Sequence, residues 1–287
     1  MVNFLKFSWL YALISLVVIG AGLFFIVRFG YIYSIDFVGG TNLEYQLSKS
    51  VAAGEIRNVL DKNNVSVISV EPNNKNVLIR TKAIDENKEA QVRKSLEQDL
   101  KVSAKTLRFE TVGPTIGQET VRKTVIASAI AILGILLYMT YAFKSFEFAL
   151  AAIAALLHDF LVVIGMYALF SYFFKAEVDT LFVTAILTSM SFSVHDTIVI
   201  FDKIREYIRL EGKEDIRIHA NRALTETLVR SLNNSMTIIF MLIALVLLGG
   251  TTTRFFAAAL LVGTVTGSYS SPFVATPLLV WLVRRKR

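Results

Sequence analysis

The chain has 287 residues, 54% of them hydrophobic and 18% charged, with a formal net charge of +7 and no cysteine. A mean hydropathy of +0.55 is more apolar than a water-soluble globular chain sustains, so the bilayer is the expected main solvent. The missing thiols exclude disulfide frameworks, thiolate metal sites and thiol chemistry. The basic residues cluster beside apolar runs and form no stripe interleaved with aromatics, which points away from nucleic acid and towards membrane lipid.

Trp9 to Val27 is an uncharged run of about 19 residues, enough to cross a hydrocarbon core about 30 Å thick. A secretory signal peptide would have a shorter apolar region and a small-residue cleavage site, whereas Arg28, Phe29 and Gly30 follow here, so residues 1–29 are expected to form an uncleaved anchor.

Charge density then rises, and residues 30–120 are expected to fold as an aqueous α+β domain. The alternation of apolar residues predicts strands at 41–47, 66–71, 76–81 and 104–112, and helical spacing predicts helices at 52–62 and 86–100. Asn73 and Asn74 supply the hairpin turn. This βαββαβ order is the split βαβ arrangement of a ferredoxin-like domain.

Residues 121–287 are expected to hold five more spans, at 124–143, 148–174, 181–201, 231–248 and 255–283, with a loop at 202–230. Pro272 and Pro277 are expected to kink the last span. The result is a polytopic α-helical membrane protein with six transmembrane helices. Lys6, Lys144, Lys203, Arg205, Arg209, Lys213, Arg217, Arg222, Arg284, Arg285, Lys286 and Arg287 all fall on one side of that topology. This predicts that both termini and the 202–230 loop are cytoplasmic and that the soluble domain faces out.

Inside the spans the ionisable residues are two adjacent pairs, His158 with Asp159 and His195 with Asp196. A carboxylate in hydrocarbon costs about 2.5–3.5 kcal/mol even on a lenient scale, so such groups face a partner or a watery path. Two readings stand: a proton-handling site, or staples between neighbouring helices. Arg230 opens the fifth span near the membrane face closest to Asp196, so the two could meet, and protonating the carboxylate would then release the guanidinium. The alternative for Arg230 is an ordinary positive-inside anchor. Gly263 and Gly267 form a small-residue packing stripe, and Asn233 is a candidate interhelical hydrogen-bonding group. No nucleotide loop, H-E-x-x-H or G-x-S-x-G motif occurs, so an ion gradient is the expected energy source.

Several segments together resemble one family, the SecF subunits of the bacterial SecD-SecF protein-export complex, relatives of the RND proton-driven transporters. They are Asp36-Phe-Val-Gly-Gly-Thr41, Val112-Gly-Pro-Thr-Ile-Gly117, Val194-His-Asp-Thr-Ile-Val-Ile-Phe-Asp-Lys-Ile-Arg-Glu206, Arg230-Ser-Leu-Asn233 and Gly267-Ser-Tyr-Ser-Ser271. The resemblance implies a non-enzymatic accessory subunit in the bacterial inner membrane, without a cofactor or metal. Such a subunit pairs with SecD beside the SecYEG channel, with YajC as a further partner, and uses proton flow to draw a secreted polypeptide outward. It implies that Asp196 is the proton-site aspartate and Arg230 its span-five arginine, and that His158-Asp159 is a further motif. Asp36, Gly39, Gly40, Gly113, Pro114 and Gly117 become the domain-junction signature, where glycines are expected to leave the two connections free to hinge. His195 departs from the pattern, since Asn or Asp is more usual there, as do Ser191 and Phe192, where Gly-Tyr is commoner. An intramembrane aspartyl protease and a passive scaffold subunit remain the alternatives.

Overall fold

The computed structural model describes residues 4–143, 145–212 and 215–285. The chain divides into two compact units, Tyr33–Ile126 and the combination of Met1–Ile32 with Ala127–Arg287. In chain order, α1 (Ser8–Phe29), β1 (Ile32–Tyr33) and α2 (Ile35–Val38) lead into β2 (Gly40–Leu47), α3 (Ala53–Lys62), β3 (Val67–Asn73) and β4 (Asn76–Thr81). Then come α4 (Glu86–Leu100), β5 (Ala104–Val112), α5 (Pro114–Phe143) and α6 (Phe146–Phe174). The chain continues through β6 (Glu177–Val178), α7 (Thr180–Glu211), α8 (Ile216–Leu248) and α9 (Thr251–Ser270) to a π turn at Ser271–Ala275 and α10 (Thr276–Arg285).

In the Tyr33–Ile126 unit the strands form one sheet in the order β3-β4-β2-β5, with β2 antiparallel to both β4 and β5. Period-2 alternation sends Leu43, Tyr45 and Leu47 to one face, where they meet Val77 and Ile79 of β4, Ile56 and Leu60 of α3, and Val92 and Leu96 of α4. Tyr45 donates to Glu89 Oε1 at 3.0 Å and Thr106 donates to the same oxygen at 2.9 Å, so the one carboxylate inside this core is hydrogen-bonded. Asn74, at φ 56°, takes the left-handed position of the β3-β4 turn that Asn accepts more readily than most residues. Asp85 caps α4 by accepting from the Lys88 amide at 2.7 Å.

This unit ends later than the expected residue 120. Helix α5 starts at Pro114, where the missing N–H is harmless, and it runs unbroken into the apolar stretch, carrying the unit to Ile126.

Among the described residues, five helices are long and apolar enough to cross a membrane: Phe4–Phe29, Pro114–Phe143, Phe146–Phe174, Thr180–Glu211 and Ile216–Leu248. The expected sixth run is broken into α9, the π turn and α10. Pro272 lies in that turn, and a proline without an N–H cannot continue the α-helical ladder.

The expected loop at 202–230 is also corrected. Helices α7 and α8 run through most of it, because its charges alternate with Ile204, Tyr207, Ala220, Ala223 and Leu224, which are buried at helical spacing. Lys203 pairs with Glu206 at 3.0 Å, and the Arg222 guanidinium lies 4.4 Å from the Tyr207 ring centre. Of the residues used to predict orientation, Lys144, Lys213, Lys286 and Arg287 lie outside the described residues.

Glycines let these helices approach closely. A β-carbon on Gly22 of α1 would sit 2.6 Å from Cα of Gly165 on α6. On α9, one on Gly263 would collide with the Ser189 side chain of α7, and one on Gly267 would lie 3.1 Å from Ser193 Cα. Gly263 and Gly267 therefore form a face where α9 presses on α7.

Candidate functional site

Two adjacent ionisable groups of the helical unit, His158 and Asp159, are deeply enclosed and keep only 8% and 3% of their surface exposed. Nδ1 of His158 lies 2.8 Å from Oδ1 of Asp159, and Nε2 lies 2.9 Å from Oγ of Ser15 on α1. Oδ2 of Asp159 accepts from Ser193 of α7 and, at 2.6 Å, from Ser270 of α9. One hydrogen-bonded cluster thus joins α1, α6, α7 and α9. Beside it, Thr197 and Ser271 meet at 2.8 Å, and the Tyr269 hydroxyl reaches the Tyr11 carbonyl of α1 at 2.9 Å.

A buried carboxylate needs several partners to offset its lost hydration, and this one has three. Ser15, Ser193 and Ser270 are missed by sequence reasoning. A serine that bonds across helices has the same composition signal as one that bonds its own preceding turn, as Thr184 does with the Thr180 carbonyl at 2.9 Å.

Asp196 occupies a different face. It is half-buried, and its Oδ2 accepts from Ser231 of α8 at 2.7 Å. It adjoins a small cavity whose polar lining comes from His195, Asn234, Ser235, Thr264 and Ser268. Ser268 donates to Ser235 across this cavity at 2.6 Å, and Thr264 Oγ1 is buried there without a hydrogen-bond partner.

The expected Asp196–Arg230 pair does not form among the described residues. Arg230 is exposed, and Asp196 meets its neighbour Ser231 instead. Successive helical residues point about 100° apart, so the face of α8 that brings Ser231 to α7 turns Arg230 away from it. Asn233 is exposed together with Arg230, Asn234 and Thr237. These four polar residues at i, i+3, i+4 and i+7 form one stripe along α8. His195 is exposed at the cavity rim.

The six junction residues come together inside the Tyr33–Ile126 unit. Ser34 caps α2 by accepting from the Asp36 amide at 3.2 Å. Gly39 ends that helix at φ +74°, and Gly40 follows at φ +135°, conformations that favour glycine. A β-carbon on Gly117 would lie 2.9 Å from the Phe37 carbonyl oxygen, and one on Gly39 would lie 3.0 Å from Pro114 Cα. The Gly113 carbonyl accepts from the Gly117 amide at 3.0 Å as α5 begins. Gly39, Gly40 and Gly117 are contact points where two chain segments touch.

The fold and its enclosed ionisable groups define a helical membrane protein with polar clusters built between its spans. Residues 91–285 match the family described as protein export membrane protein SecD/SecF, C-terminal, and the chain belongs to that family. The protein translocase subunit SecF of Thermobaculum terrenum is 40% identical over 298 residues, covering 98% of this chain and 93% of its own length. The subunit of the same name from Anaerolinea thermophila is 38% identical over 290 residues, covering 98% and 94%. Among solved structures, the crystal structure of SecDF, a translocon-associated membrane protein from Thermus thermophilus, is 29% identical with a TM-score of 0.84. SecDF in its super-membrane-facing form is 30% identical with a TM-score of 0.70. This chain spans 39% of the length of each of these SecDF chains.

Proposed function

We propose that this chain is an accessory subunit of the bacterial Sec protein translocase which, together with SecD, uses the proton gradient to promote export of polypeptides across the inner membrane. The observation that carries the reading is Asp196, a half-buried carboxylate on a membrane-length helix that rests on Ser231 beside a polar cavity. Its location in a chain of the SecD/SecF family connects that group with export. An ionisable group within a membrane-spanning helix marks an ion path more often than a structural role.

In this reading the path runs between α7, α8 and α9, and Arg230 approaches Asp196 only in another state of the complex. The exposed stripe of Arg230, Asn233, Asn234 and Thr237 supports a second membrane subunit, SecD, packed along α8, because polar side chains seldom face lipid. SecYEG, YajC and the exported chain are the further partners. The reading includes six spans, counting α9 through α10 as one kinked span. It also includes cytoplasmic termini and a ferredoxin-like outward domain at about residues 30–120. The strand order β3-β4-β2-β5 with two helices on one face supports that domain type.

An aspartyl protease needs two carboxylates sharing a proton. Here Asp159 is engaged by Ser193 and Ser270 while Asp196 is engaged by Ser231, which favours transport over catalysis. The test is Asp196→Asn in inverted membrane vesicles containing SecD. Assembly with SecD is expected to persist and proton-dependent stimulation of export to disappear. Full stimulation that still collapses with a protonophore would place the proton site elsewhere.

A further inference from the structure

We infer that Ser15, His158 and Asp159 form a second proton-binding site, separate from Asp196, whose charge state is transmitted to α1 through the Ser15 hydroxyl. The inference builds on the proton-coupled reading above but concerns a different helix face and different ligating atoms.

The hydrogen inventory carries it. Oδ2 of Asp159 receives the hydroxyl hydrogens of Ser193 and Ser270; for Ser270 the alternative acceptor, the Gly267 carbonyl, is farther away, at 3.3 Å against 2.6 Å. Oδ1 faces Nδ1 of His158 at 2.8 Å, which assigns the Nδ1 hydrogen to that contact and leaves Nε2 as the variable atom. Nε2 lies 2.9 Å from Ser15 Oγ, and a hydroxyl can serve that contact in two ways. With the imidazole neutral, Ser15 donates its hydrogen to Nε2. With the imidazole protonated, Nε2 donates to Ser15 Oγ, and the serine hydrogen turns to the carbonyl of Tyr11 one turn back, where helical serines commonly bond. That carbonyl already receives the Ser15 amide of the helical ladder and, at 2.9 Å, the Tyr269 hydroxyl, so the serine hydrogen competes with Tyr269 for it.

The step takes one proton from the aqueous phase, forms one N–H bond and breaks no bond between heavy atoms. The cluster passes from one net negative charge to none. Because the other side of the exchange is a hydrogen bond to the α1 backbone, protonation at α6 alters how α1 is held. Seven residues further along both helices, Gly22 and Gly165 make the backbone contact between them.

The groups facing the pair are few. From α1 come Ser15 and the Tyr11 carbonyl. From α7 comes Ser193, with His195 and Asp196 one turn on and Asp196 directed at Ser231. From α9 come Ser270 and Tyr269, whose ring centre is 6.3 Å from that of His158. The π turn contributes no titratable side chain, and α10 contributes only Arg284 and Arg285 in its last turn. Among the described residues, His158, at 2.8 Å, is the group that pairs with Asp159 as a cation when it is protonated.

The chain contains three histidines, so ¹⁵N-histidine spectra of the chain in complex with its SecD partner, in lipid nanodiscs, can be assigned by comparison with His158→Gln. The His158 signals are expected to pass from a neutral tautomer to imidazolium as the pH is lowered from about 9 to about 5. Ser15→Ala is expected to shift that midpoint by about one pH unit, a tenfold change in proton affinity, and Ser15→Thr to restore it. Co-purification with SecD checks that each variant is folded. His158 signals that do not change over the range, or a midpoint that is the same in Ser15→Ala, would overturn the inference and leave the cluster a fixed staple. Loss of stimulation in Asp196→Asn with unchanging His158 signals removes this site and keeps the other. A titrating His158 with full stimulation in Asp196→Asn does the reverse.

Discussion

Alanine at Gly22 and alanine at Gly20 set two effects against each other on one helix. Glycine in a helix interior is less favourable than alanine by about 1 kcal/mol, so replacing it where space is open should stabilise α1. Gly20 is such a position, because a β-carbon there meets nothing within 4 Å. At Gly22 the same methyl group would lie 2.6 Å from Gly165 Cα, and a methyl on Gly165 would lie 2.8 Å from Gly22 Cα. Carbon atoms settle at about 3.5–4.0 Å, so α1 and α6 would have to part by about 1 Å. Overpacking of this kind costs about 1–3 kcal/mol.

Gly20→Ala is therefore expected to be neutral or stabilising by up to about 1 kcal/mol. Gly22→Ala and Gly165→Ala are expected to fall below it by about 1–3 kcal/mol. Using one helix as its own reference cancels the uncertain transfer of propensity scales from water to lipid. The assay is unfolding in mixed micelles followed by near-ultraviolet circular dichroism, with the double variant closing a cycle. The two glycines should prove coupled, since the second methyl enters a gap already opened. Gly22→Ala as stable as Gly20→Ala would refute the reasoning.

Asp159→Ala should cost about 3–5 kcal/mol, because it strips the acceptor from Ser193, Ser270 and His158 at once; thermal unfolding in detergent measures it. Burial, then the negative charge of Glu89 and the hydrogen bond to it, pushes the Tyr45 phenol well above its ordinary range. The folded state therefore holds this proton more tightly than the unfolded chain does. Its contribution is complete below about pH 10 and is lost as pH rises above that. Tyr45→Phe should flatten the alkaline part of the stability curve, as followed by hydrogen exchange in β2. Gly117→Ala, with its methyl 2.9 Å from the Phe37 carbonyl oxygen, should destabilise the Tyr33–Ile126 unit by about 1–3 kcal/mol and speed its proteolysis. Wild-type cleavage rates in that variant would show that the junction is loose after all.

The sequence by itself determined which stretches are long and apolar enough to cross a bilayer and which form the α+β unit, because both depend on local patterns. Apolar runs of bilayer length and the alternation through Leu43, Tyr45 and Leu47 are properties of consecutive residues. It also showed that His158, Asp159, His195 and Asp196 are costly where they stand and so require partners. Which partners was decided only in three dimensions. A rotation of about 100° separates Arg230 from Ser231, and no hydropathy pattern says which of the two faces α7. The broken helix at Ser271–Ala275 and the helices that replace the expected loop at 202–230 likewise depend on what each segment packs against. Ser15 and Ser193 acquire meaning only when α1 and α7 are brought against α6. The backbone contacts that bring them there, Gly22 on Gly165 and Gly267 on Ser193, join residues far apart in the chain. A hydrogen bond needs its donor and acceptor within about 3 Å, and sequence separations of 143 residues for Ser15 to His158 and 34 for Asp159 to Ser193 are closed by tertiary packing alone.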